Sequence, residues 1–185
     1  MRILVAYASS HGSTAEIAGR IAGRLESAGD TVECRAMREV PDLSPYDAVV
    51  AGSAIHDQAW LGEAMAFLSR FASDLAAMPV WLFSVGMPAA LPGRLQNWAM
   101  QEEGQMASKL AHLVRPRGHR LFSGVVRKEH LAPAGRAKFR LMGGRYGDFR
   151  NWDEVDAWVA VVATDLHRPS GRPDTEVRIG SADAS

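Results

Sequence analysis

The stretch YASSHGSTAEIA, Tyr7 to Ala18, decides how the rest of this chain is read. It follows the apolar run Ile3, Leu4, Val5, Ala6 and packs four hydroxyl side chains and one glycine into the six positions 9–14. Beyond it, Ile17, Ile21 and Leu25 recur at spacing four, the stripe of a helix predicted over residues 13–28 and stopped by Gly29. The unit is therefore a buried strand, a loop of small donors and a helix. Backbone N–H groups that open a helix, together with its dipole, favour an anion. Ser9, Ser10, Ser13 and Thr14 each add an O–H, and Gly12 lets the loop curl. The loop holds no lysine and matches neither GxxxxGK[ST] nor GxGxxG, so a nucleoside triphosphate cradle and the usual dinucleotide fingerprint are both unsupported. A hydroxyl-lined cradle of this kind suits a phosphate monoester. Serine and threonine are also good helix caps, and locally both readings stay open, as does the charge state of His11.

Working outward, strands and helices alternate. Further strands are predicted over residues 31–35, 47–52, 79–85 and 120–126, and helices over 61–75, 95–114 and 153–166, the last capped by Asn151 or Asp153. Such alternation predicts an α/β fold, a doubly wound five-stranded parallel sheet with helices on both faces. Ligands in these sheets sit at the carboxyl ends of the strands, which selects three loops, residues 8–14, 53–60 and 84–87. Residues 1–168 read as one domain. The last seventeen, 169–185, hold little to bury and are expected to be mobile or docked on a neighbour.

Composition is that of an ordinary globular protein, 47% hydrophobic and 23% charged over 185 residues. No apolar run reaches the ~20 residues of a membrane helix, and the amino terminus lacks a signal-peptide core, so a cytoplasmic location is expected. The one cysteine, Cys34, excludes an internal disulfide and reads as a small core residue. Zero net charge hides a segregation, because residues 115–150 hold ten Lys or Arg against Glu129 and Asp148. That segment is either a solvated loop or a surface that meets an acidic substrate, partner or lipid headgroup.

Other chemistries fail on spacing. The six histidines include no HExxH pair, so no metal site is expected. AGSAI at 51–55 lacks the GxSxG elbow of a hydrolase. The first and third strands end in Ala8, Ser9 and Gly52, Ser53, without the carboxylates of a phosphoacceptor. No nucleic-acid module is present in the sequence.

Three segments carry a resemblance. ILVAYASSHGSTAEIAGRIAGRLESAG, YDAVVAGSAIH and PVWLFSVGM resemble flavodoxin-like domains, whose first loop wraps the phosphate of FMN and whose second and third loops flank its ring. The resemblance spans residues 1–166 and implies strand order 2-1-3-4-5. SAIHDQAWLGEAMAFL, MPVWLFSV, FSGVV and DFRNWDEVDAWVA are similar to the branch containing menaquinone-dependent protoporphyrinogen IX dehydrogenase. Residues 127–150 are basic, yet shorter and poorer in aromatics than that branch's insertion. Carried over, the resemblance implies a phosphate cradle of Ser9, Ser10, His11, Gly12, Ser13 and Thr14. Ser53, Ala54, Ile55 and His56 would lie along one edge of the ring, and Ser84, Val85 and Gly86 along the other. It implies an FMN-dependent oxidoreductase or electron-transfer flavoprotein whose chemistry runs on the flavin, serving a quinone, a porphyrin or another redox partner. Peripheral contact with an anionic membrane through residues 115–150 and a homodimer both stay open. The alternative is a non-redox module of the same fold that holds another phosphorylated ligand or none.

Overall fold

The computed structural model describes residues 1–93, 110 and 113–168. The expected helix over 95–114 and the tail 169–185 lie largely or wholly outside the described residues.

The amino-terminal apolar run becomes β1 (Arg2–Ala8). Its side chains divide by the twofold period of a strand. Ile3 and Val5 enter one core, Leu4 and Ala6 the other, so the strand is buried on both faces, as the centre of a parallel sheet requires. α1 (Ser13–Ser27) follows and buries Ile17, Ile21 and Leu25. β2 (Thr31–Ala36) returns parallel to β1 at the sheet edge. There Cys34 is exposed, which corrects its reading as a core residue. Cys34 is level with Val5 and shares its strand face with Val32, which packs on that core, yet at the sheet edge it stays exposed.

β3 (Ala48–His56) pairs β1 on its second side and runs longer than its sequence suggested. It takes up Ser53, Ala54, Ile55 and His56, which were expected to form a loop. A tight hairpin then turns at Asp57 and Gln58, with φ of 48° and 61°, into the two-residue β4 (Ala59–Trp60). Both central residues are left-handed, as in a type I′ turn. The expected single helix over 61–75 is two, α2 (Gly62–Arg70) and α3 (Ala72–Ala77), broken at Phe71. β5 (Val80–Gly86) and β6 (Gly118–Ser123) complete the parallel sheet, whose order is β2-β1-β3-β5-β6 with β4 added antiparallel to β3. Apart from β4, this is the predicted five-stranded order.

α5 (Trp152–Leu166) closes the chain's described part, and the Asn151 side chain accepts from the Glu154 N–H at 3.2 Å as its cap. With α1 it covers one sheet face through Val155, Val159 and Val162. α2 and α3 cover the other with Phe67, Leu68, Phe71 and Leu75. No helix among the described residues is long and apolar enough to cross a membrane.

The expected fifth strand over 120–126 splits at Gly124. Its end, β7 (Val125–Val126), leaves the sheet and pairs antiparallel with β8 (Gly147–Asp148). Between them α4 (Pro133–Leu141) packs Phe139 onto Ala90, Leu91 and Val126. The basic stretch is therefore a folded lobe with a small core of its own.

Candidate functional site

Parallel register fixes which loops meet. Ala8 is level with Ser53, and Ser53 with Ser84, so the first loop and the carboxyl ends of β3 and β5 stand side by side. The lobe joins them, because the Gly124 N–H donates to the Gly86 carbonyl at 2.8 Å and the Arg145 N–H to the Ala90 carbonyl at 2.9 Å.

Within the first loop the six residues take different parts. Ser9 Oγ accepts from the Gly12 N–H at 3.0 Å and holds the turn. Gly12 adopts φ +92° as the residue before α1, a left-handed conformation that a side chain would strain. No side chain caps α1, so the N–H groups of its first turn keep their capacity for an external acceptor. Thr14 is fully buried, and its Oγ1 has no hydrogen-bond partner. A buried hydroxyl left unpaired costs about 1–3 kcal/mol, and among the described residues no other buried side-chain N or O is in that state. Ser13 is half-buried and points toward Gly124, where a Cβ would stand 3.0 Å from Ser13 Oγ and 2.8 Å from Val85 Cγ1. Ser10 and His11 are exposed. The His11 ring stacks on His130 of the lobe, centroids 3.9 Å apart and planes within 2°. Desolvation, then the imidazoles of His130 and His56, push His11 below its usual pKa, which favours the neutral ring.

The second and third loops place their residues less uniformly. Ala54 and Ile55 are half-buried, His56 is exposed, Val85 is buried and Gly86 is half-buried. The two serines turn inward. Ser53 Oγ donates to the Ala54 carbonyl at 2.9 Å and accepts from the Leu61 N–H at 3.1 Å. Ser84 Oγ accepts from the Trp60 indole N–H at 2.7 Å and lies 2.8 Å from His119 Nε2. Burial pushes the His119 imidazole down to about 4, so the ring beside Ser84 is neutral near pH 7. Trp60 is thus consumed inside the protein and does not offer its face to a ligand.

A cleft of about 450 Å³ opens between the first loop and the lobe, lined by His11, Ser13, Arg127, Lys128, His130 and Arg150 among others. Arg150 is locked in place by Asp148 at 2.6 Å, by Glu16, and by Trp152, whose ring it overlies at 4.9 Å. A second depression, of about 500 Å³, lies at the start of β5 and β6 beside Trp81, Gly118 and Trp158, away from the loops just described. Sequence reasoning missed Gly124, His130 and Arg150 because nothing local marks them. They reach the first loop only through the split of the fifth strand.

The first loop fits a phosphate group on these grounds: an uncapped helix start, a left-handed glycine and an orphaned buried hydroxyl. Comparison with known proteins agrees with the fold. Residues 4–148 match the family model described as a flavodoxin domain. A flavodoxin from Pseudomonas aeruginosa is 11% identical, with 90% of this chain and 99% of that chain covered and a TM-score of 0.57. Oxidised Flavodoxin 1 from Bacillus cereus is 17% identical over 91% and 100%, with a TM-score of 0.53. The rubredoxin oxygen:oxidoreductase of Desulfovibrio gigas is 13% identical over 89% of this chain and 36% of that one, with a TM-score of 0.55. No curated protein matches the sequence. The family match covers most of the chain, and the strand order and first loop accord with it: the chain belongs to the flavodoxin domain family.

Proposed function

We propose that this protein binds FMN and acts as a redox flavoprotein, an FMN-dependent oxidoreductase or electron carrier. The observation that carries the reading is the buried, unpartnered Thr14 hydroxyl at the uncapped start of α1. In this reading Ser10, Ser13 and Thr14 donate to the phosphate, alongside the first N–H groups of α1. Gly12 supplies the curl. The ring lies between the ends of β3 and β5, along Ala54, Ile55 and His56 on one edge and Val85 and Gly86 on the other. FMN supplies the electron or hydride transfer, and the protein supplies position and electrostatics. Among the described residues neither Ser53 nor Ser84 is free to act on a substrate, since both hydroxyls are already engaged inside. The acceptor is a small molecule of the quinone or porphyrin class, as the branch resemblance suggests, or a partner protein.

The test is the purified protein's visible flavin spectrum, followed by titration of stripped protein with FMN and with riboflavin, which lacks the phosphate. Charge-assisted hydrogen bonds of roughly 1.5–3 kcal/mol each make FMN the tighter ligand by at least about tenfold. Equal affinity for the two takes the phosphate out of the first loop, and affinity for neither removes the cofactor and leaves the non-redox module.

A further inference from the structure

α4 has two faces. Phe139 is its single buried side chain. At 100° per residue, Ala134, Ala137 and Leu141 fall within about 40° of the pole opposite Phe139, and all three are exposed. Leu141 is 90% exposed and the adjoining Met142 37%. Lys138 and Arg140 stand on the two flanks of this outward stripe, about 100° to either side of Phe139. A surface helix normally turns polar residues outward. This one turns out alanine and leucine between two cations.

The surroundings are basic. Residues 125–150 hold seven Lys or Arg against Glu129 and Asp148, and Asp148 is already spent on Arg150. Arg136 directs its Nε–H to the Lys128 and Leu131 carbonyls, both at 2.8 Å, and among the described residues no carboxylate meets it. Among the described residues Arg127, Lys128, Lys138, Arg140 and Arg145 form no ion pair.

We infer that this outward face of α4 docks the protein on an anionic lipid bilayer. An apolar stripe flanked by basic side chains is the pattern of a helix lying in the headgroup layer, where long Lys and Arg stems let the charge reach the phosphates while the stripe dips below. The face runs about two turns, from Ala134 to Leu141. It is far short of the ~800 Å² per partner that a stable protein interface buries, whereas a bilayer asks only for shallow insertion and charge. The inference does not use the cofactor site, so it stands or falls separately from the FMN reading.

The experiment is co-sedimentation of the full chain with phosphatidylcholine vesicles, with and without phosphatidylglycerol. Binding is expected to the mixed vesicles alone and to weaken as salt rises. Lys138→Gln with Arg140→Gln lowers it about 30-fold, at about 1 kcal/mol per cation. Leu141→Gln lowers it about tenfold, from the lost burial of one leucine. Poly-glutamate serves as an acidic macromolecule without a bilayer. Equal binding to neutral vesicles, no binding to anionic ones, or binding indifferent to Leu141 overturns the inference. So does poly-glutamate binding as tight as vesicle binding, which assigns the face to an acidic protein. FMN titration and circular dichroism of the same variants, unchanged from the parent, separate this outcome from a failure of the cofactor site or of folding.

Discussion

Replacing Thr14 by valine keeps the side chain's shape and deletes one oxygen, and the structure makes its two consequences opposite in sign. Without ligand, the buried Oγ1 has no partner, so the parent carries a desolvation cost of about 1–3 kcal/mol that valine does not. The ligand-free mutant is expected to be more stable, and each kcal/mol raises Tm by about 2–4 °C in a chain of this size. With FMN, the same change removes a charge-assisted hydrogen bond worth roughly 1.5–3 kcal/mol, or about 10- to 150-fold in Kd. Differential scanning fluorimetry of stripped protein and fluorescence titration with FMN read the two halves on one sample. Thr14→Ser, which restores the hydroxyl, returns most of the affinity. Unchanged Tm together with unchanged FMN affinity in Thr14→Val refutes the reasoning and takes the phosphate out of this loop.

Gly124→Ala places a Cβ 2.8 Å from Val85 Cγ1 and 3.0 Å from Ser13 Oγ, so chemical denaturation should show a loss of about 1–3 kcal/mol and FMN should bind more weakly. A mutant as stable as the parent would mean that the split of the fifth strand has room to spare. His119 bears on pH. Its imidazole falls from an ordinary 6.5 to about 4 on folding, so between those values the unfolded chain binds more protons and stability rises with pH. That contribution is complete above pH 6.5 and is lost as pH falls to 4, about 3 kcal/mol in all. Urea midpoints measured across this window should slope in the parent and flatten in His119→Gln.

The order of the sheet was legible because β1, β3 and β5 are buried on both faces, and a run such as Ala48 to Ala51 has no other good use. The first loop was legible because its donors are consecutive. What escaped depends on partners far along the chain. The roles of Ser53 and Ser84 are set by Leu61, Trp60 and His119, eight to thirty-five residues away, and no spacing rule joins them. The hairpin at Asp57 and Gln58 escaped because neither turn residue is a glycine, although both are left-handed. α4 escaped for a simpler reason. One inward side chain, Phe139, cannot make a period, and the apolar residues on its far side blur the pattern that amphipathic helices show.

The lobe's separate core carries a consequence for how the molecule breathes. Among the described residues it buries Ala90, Leu91, Val126 and Phe139, while the sheet is clamped between two large cores. Local opening costs the free energy of the unit that opens, not of the whole. The amides of β7 and β8 should therefore exchange with solvent through an opening that leaves β1, β3 and β5 intact. Hydrogen exchange would then resolve two clocks in one chain, a fast one for the lobe beside the first loop and a slow one, set by global unfolding, for the parallel strands beneath it.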